Sequence, residues 1–301
     1  MKTLLCFLLL PLLSFGQPFS KDEIARYRAQ AQKVTIITDN WGIPHIYGKT
    51  DADAVFGLMY TQCEQNFPRV ERNYLEVFGK LAEIEGERQV YGDLQMQLIY
   101  DTIAAKNDYA KSPAWLKKLL HAFADGVNYY LFRHPEVQPA VFKKFEPWFP
   151  LMYTDGSISA TQMGGITERD TRNLYAAKDA GSTSFTEAPL RFTELKLAGS
   201  NGFAIAPSRT ASGNSILYIN PHVTFYYRTE AHMVSEEGLN VYGAATWGNF
   251  FIYQGFNEHC GWMHTSSYAD VADVYKEKIV KKGSDLFYEY DGQLRPVRSR
   301  Q

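Results

Sequence analysis

The chain has 301 residues, 45% of them hydrophobic and 15% aromatic, enough material for a sizeable core in one or two domains. A net charge of −2 gives no electrostatic case for a nucleic acid or for an anionic membrane surface, and leaves small uncharged or acylated partners open. The three cysteines, Cys6, Cys63 and Cys260, show no C-x-x-C or similar spacing, so they supply no zinc site.

The first stretch carries one positive residue, Lys2, then the apolar run Leu4 to Leu13, then small residues to Gly16. This pattern predicts a secretory signal peptide over 1–16, cut near Gly16-Gln17, and hence an exported periplasmic or extracellular protein without stable membrane insertion. Loss of Cys6 with the leader leaves Cys63 and Cys260, as a pair or as free thiols. Ser20-Lys21-Asp22-Glu23 is a capping box opening a helix to about Gln32. Val34 to Asp39 is a β-branched strand, and Trp41 to Tyr47 gives a turn and a second extended piece in which His45 reads as structural.

Thr50-Asp51-Ala52-Asp53 starts another helix with apolar residues at helical spacing through Phe78. Arg69, Glu71 and Arg72 read as a solvated or ion-paired face of it. Ser112-Pro113 opens a further helix with Trp115, Leu119, Leu120, Phe123, Val127 and Tyr130 on its apolar side. An aromatic, proline-rich stretch runs from Phe142 to Met152, followed by Asp155 to Met163. From about Lys178 to Gly199 the chain is rich in Ala, Gly, Ser and Thr, and reads as a long exposed connection. After Ser200, strands are predicted at Phe203–Ala206, Ile216–Ile219, His232–Ser235, Val241–Trp247, Phe250–Tyr253 and Val274–Val280, with turns at Gly213, Gly238 and Gly248.

Ser200 stands where the small-residue connection meets the first of these strands. By itself Gly199-Ser200 is an ordinary turn dipeptide. Cut at that bond, Ser200 carries a hydroxyl nucleophile and an α-amino group that serves as its own general base. Downstream of it follow Asn220-Pro221-His222 and the segment Gly255-Phe256-Asn257-Glu258-His259-Cys260-Gly261-Trp262-Met263-His264-Thr265-Ser266.

With these motifs, and with Gly42-Ile43-Pro44-His45-Ile46 upstream, the chain resembles penicillin acylases and acyl-homoserine lactone acylases from about Val34 to its last residue. Those are N-terminal nucleophile hydrolases, made as a precursor that cuts itself before the nucleophile. The resemblance implies an α+β fold, the four-layer αββα sandwich, incomplete in this chain. It divides the sequence into an α-chain-like helical region over 17–177, a linker propeptide over 178–199 and the start of a β chain over 200–301. It implies hydrolysis of a linear amide in a small N-acyl substrate through an acyl-enzyme on Ser200, after cleavage between Gly199 and Ser200. His222 then orients the nucleophile's amine, the Ser266 N–H faces the oxyanion, and Val223 and Gln254 touch the acyl chain. Asp270 and Asp273, with Glu168, are the counterparts of ligands to a structural Ca²⁺ that helps hold the α and β chains together; no organic cofactor is implied. Cys63-Glu64-Gln65-Asn66 departs from the family's Ala-Gln-Asp-Arg. Family β chains run on to an asparagine oxyanion donor and an arginine, so a truncated acylase precursor is expected. An inactive remnant of such an enzyme and a non-catalytic envelope ligand-binding module are the alternatives.

Overall fold

The computed structural model describes residues 18–152, 167–176, 199–223, 228–265, 275 and 277–298. The expected leader over 1–16, the stretch Asp155 to Met163, the linker over 178–198, and Ser266, Asp270 and Asp273 lie outside them. What is described is mixed α and β, with helices in the first half and strands mostly in the second.

Local sequence starts the three expected helices where their caps predict. Helix α1 (Lys21–Ala31) is capped by Ser20, whose Oγ accepts from the Glu23 N–H while the Glu23 carboxylate accepts from the Ser20 N–H. Glu23 also meets Lys144 Nζ at 2.6 Å, and that bond is the main cause that draws its carboxyl down from the ordinary 4.5 to about 2. A carboxyl lowered on folding stabilises the fold above its ordinary value and loses that contribution as pH falls through the folded one. The deficit of a Glu23→Gln variant in urea unfolding is therefore expected at neutral pH and to shrink between 4.5 and about 2.

Helix α2 (Asp51–Val77) opens on a second reciprocal box between Thr50 and Asp53. It breaks at Asn66, with φ −163° and ψ 70°, at the end of Cys63-Glu64-Gln65-Asn66. The reason is local: Pro68 has no N–H to continue the ladder, and Asn66 Oδ1 accepts from the Arg69 N–H, so the second half begins like a newly capped helix. Helices α3 (Ala82–Glu85), α4 (Val90–Ile99) and α5 (Thr102–Lys111) follow, then α6 (Ala114–Arg133), begun at Pro113.

The core forms where α6 crosses α2. A Cβ on Gly126 would sit 2.5 Å from the Phe56 carbonyl oxygen, so glycine is what lets the two backbones approach. The aromatic stretch closes this core rather than lying on a surface: Phe145 and Phe149 pack with Tyr74, and Phe142 and Trp148 with Phe78. Asn128 fixes the loop by bonding both backbone groups of Phe145, each at 2.8 Å. The charged face read at Arg69 to Arg72 divides in two. Arg72 is ion-paired with Glu76 and Glu85, as expected. Glu71 is 3% exposed, and its carboxylate accepts the N–H groups of Ala140, Val141 and Phe142 at 2.8–2.9 Å.

Both described cysteines are free. Cys63 is enclosed in α2, where burial pushes its thiol well up, and Cys260 is exposed. Native-state alkylation followed by peptide mapping is expected to mark Cys260 and to reach Cys63 only after unfolding.

Against α2 lies a six-stranded sheet of order β1-β2-β5-β6-β7-β8: β1 (Val34–Thr38), β2 (Pro44–Gly48), β5 (Arg228–Ser235), β6 (Asn240–Thr246), β7 (Gln254–Phe256) and β8 (Gly261–Trp262). In β5, Thr229, Ala231, Met233 and Ser235 are buried and their neighbours are not, the period-two pattern of a strand covered on one face. The parallel β2–β5 pair joins the two halves of the chain in one sheet, with His45 opposite His232. Their Nδ1 atoms are 3.0 Å apart, so His45 belongs to this joint, in keeping with its structural reading. A separate hairpin comprises β3 (Ser200–Ile205) and β4 (Ile216–Pro221), with Phe203, Ile205, Ile216 and Tyr218 exposed. Strands β9 (Ile279–Lys282), β10 (Asp285–Tyr290) and β11 (Gln293–Pro296) form a meander. Phe250–Tyr253 is not the strand expected from its apolar run. It is a bend whose Ile252 and Tyr253 are buried, and the strand begins at Gln254. Among the described residues no helix is long and apolar enough to cross a membrane.

Candidate active site

The β3–β4 register places Ser200 opposite Pro221, which brings His222 beside the Gly199-Ser200 bond. The His222 N–H donates to the Gly199 carbonyl oxygen at 3.1 Å and reaches Ser200 Oγ at 3.3 Å. Ser200 Oγ donates to the same Gly199 oxygen at 2.7 Å. The hydroxyl and a backbone donor thus converge on the carbonyl of one peptide bond. The His222 ring is held by its Nε2, 3.0 Å from Asn220 Oδ1 and 3.2 Å from Asn201 Nδ2. Its Nε2 donates to the first in one tautomer and accepts from the second in the other.

The third side of the site comes from beyond β8. Thr265 Oγ1 accepts from the Ser200 N–H at 3.0 Å and donates to the Ser200 carbonyl oxygen at 2.9 Å. Two glycines let these segments meet: a Cβ on Gly202 would collide with Met263 Sδ, and one on Gly261 with the Leu217 side chain. The hydroxyl of Thr265 thus holds both backbone groups of Ser200. Sequence reasoning missed this residue although its signal was present, since Thr265 closes the quoted Trp262-Met263-His264-Thr265 run.

The other expected residues are placed as follows. Gly199, Ser200 and His222 stand together. Val223 is half-buried in the bend after His222. Gln254 is 3% exposed, and both ends of its amide are engaged, Nε2 with the His264 carbonyl and Oε1 with Arg228. Glu168 opens helix α7 (Glu168–Ala176) and pairs with Arg172 at 3.1 Å. Among the described residues no three or more His, Cys, Asp or Glu side chains converge as a metal site, and the companions expected for Glu168 are not among those residues.

Comparison with protein families matches residues 33–301 to penicillin amidase. The chain belongs to the penicillin amidase family. Among curated proteins this family member is similar to the acyl-homoserine lactone acylase QuiP of Pseudomonas fluorescens (strain Pf0-1), with 26% identity over 90% of the chain and 39% of the relative. It is likewise similar to the penicillin acylase 2 proenzyme of Pseudomonas sp. (strain SE83), with 23% identity over 89% of the chain and 40% of the relative. The chain therefore spans about two fifths of the length of these curated relatives. Among solved structures, a thermostable penicillin G acylase from Alcaligenes faecalis is similar at 19% identity and a TM-score of 0.36, covering 40% of this chain and 68% of that one.

Proposed function

We propose that this penicillin amidase family chain carries the nucleophile of an exported amidohydrolase that acts on linear N-acyl amides from a self-made N-terminal serine. The observation that carries the reading is the convergence of Ser200 Oγ and the His222 N–H on the Gly199 carbonyl, with Thr265 gripping the other side of Ser200. In processing, Ser200 Oγ attacks the Gly199 carbonyl carbon and the His222 N–H supports the developing oxyanion. The Gly199–Ser200 C–N bond breaks as the hydroxyl proton passes to the departing Ser200 nitrogen. Water then hydrolyses the ester, leaving a carboxylate on Gly199 and an amine on Ser200.

In turnover that amine takes the proton from Oγ as it attacks the substrate amide. Thr265 Oγ1, which accepts from the Ser200 N–H in the uncut chain, has the same role toward the amine. His222 orients the amine, the Ser266 N–H serves the substrate's oxyanion, and Val223 meets the acyl chain. The amine product departs with the proton, and water releases the acid from Ser200. The names of the relatives, acyl-homoserine lactone acylase and penicillin acylase, support an N-acyl amide as the bond broken. The four-layer αββα arrangement and the propeptide over 178–199 belong to the same reading. Calcium enters it as a structural ion, with Glu168, Asp270 and Asp273 as oxygen ligands; Glu168 would leave Arg172 to bind it.

Trapping tests this directly. Brief reaction with an activated N-acyl or acyl ester substrate, followed by mass mapping, is expected to find the acyl group on a peptide beginning at Ser200. Turnover with the acyl group on any other residue would overturn the reading.

A further inference from the structure

We infer that Gln254 is a positioning residue that holds Thr265 against Ser200; the inference rests on the reading of Ser200 as the nucleophile. The β7–β8 ladder pairs Phe256 with Gly261 and Gly255 with Trp262, and ends there. Two residues on, the Gln254 side chain does for His264 what another ladder bond would: its Nε2 donates to the His264 carbonyl oxygen at 2.9 Å. The next residue is Thr265, whose hydroxyl accepts from the Ser200 N–H and donates to the Ser200 carbonyl oxygen.

The orientation of the amide is dictated by chemistry. Arg228 Nη1 lies 2.7 Å from Gln254 Oε1, and a guanidinium only donates, so the oxygen end must face Arg228 and the NH₂ end must face His264. The same cluster fixes His264 a second time. The Arg228 guanidinium lies 4.6 Å from the centre of the Tyr253 ring, and the His264 imidazole lies against that ring, tilted by 30° with centroids 4.4 Å apart. Gln254 is 3% exposed, so its amide has little access to water as an alternative partner. Arg228, on β5, thus communicates with the serine through Gln254, the His264 backbone and Thr265. Such a strut works by geometry, and small displacements of a reacting group are costly, about 10²-fold for roughly 1 Å.

The sharpest variant is Gln254→Glu, which keeps the side chain's volume and its acceptor toward Arg228 but turns an oxygen toward the His264 carbonyl. Cleavage at Gly199-Ser200, followed by intact mass, and kcat on an N-acyl substrate are both expected to fall by about 10²-fold, with KM little changed. A KM that shifts with acyl length while cleavage keeps its rate would make Gln254 an acyl-chain contact and overturn the inference. A second measurement is independent of cleavage and of activity. In the uncleavable Ser200→Ala chain, backbone hydrogen exchange at position 200 is expected to accelerate when Gln254→Glu is added, while amides in the middle of α2 exchange as before. Unchanged exchange at position 200 would also overturn it. If the unmodified chain never cleaves, the nucleophile reading fails, and the exchange experiment still decides whether Gln254 braces this corner.

Discussion

Ser200→Ala is expected to leave the chain as one polypeptide and to reduce amide turnover to background. The two losses share a cause. The hydroxyl that donates to the Gly199 carbonyl in the uncut chain is the atom that opens the peptide bond and then the substrate. Without it no amine is exposed at residue 200, so the base disappears together with the nucleophile. Removal of a nucleophilic serine from a hydrolase that depends on one costs on the order of 10⁶ in kcat. Folding should be little disturbed, because the backbone N–H and carbonyl of residue 200 keep their bonds to Thr265. Cleavage in the variant at the same bond and rate would assign the scission to an outside protease.

Glu71→Ala is expected to be the most damaging single change to stability, at about 3 to 5 kcal/mol in urea unfolding, since it removes one buried carboxylate that accepts from three backbone donors at once. The N–H groups of Ala140, Val141 and Phe142 turn inward because one carboxylate gathers them, and that turn delivers Phe142 and Phe145 to the core. Glu71→Gln is expected to cost less, because the amide keeps an accepting oxygen while presenting donors to donors. A loss below about 1 kcal/mol for Glu71→Ala would mean that water replaces the carboxylate there.

Glu71 also shows where sequence reading stops. The two capping boxes were legible because both partners lie within three residues, and β1, β2, β6 and the end of β5 were legible from their β-branched and apolar runs, whereas the short β7 and β8 were not. Glu71 sits among arginines on a helix, and its partners are backbone groups about seventy residues away, which no local pattern announces. Helix α5 did carry a local cue, Asp101 accepting from the Ile103 and Ala104 N–H groups, and it went unread. At Phe250–Tyr253 an apolar run is equally compatible with a strand and with a buried corner, and here the corner holds. In the site, Ser200 and His222 came from resemblance to a family, and the hairpin register puts them side by side. Thr265 and Gln254 acquire their positions from contacts across the fold, of 65 residues in the first case, where only the structure shows which hydroxyl reaches which backbone.

The most direct test of the account is the intact mass and terminal sequence of the freshly expressed full-length chain. Two fragments are expected, with a new N-terminus at Ser200 in any material that hydrolyses amides. An unbroken Gly199–Ser200 bond in active protein, or an active form whose new terminus lies elsewhere, would contradict it.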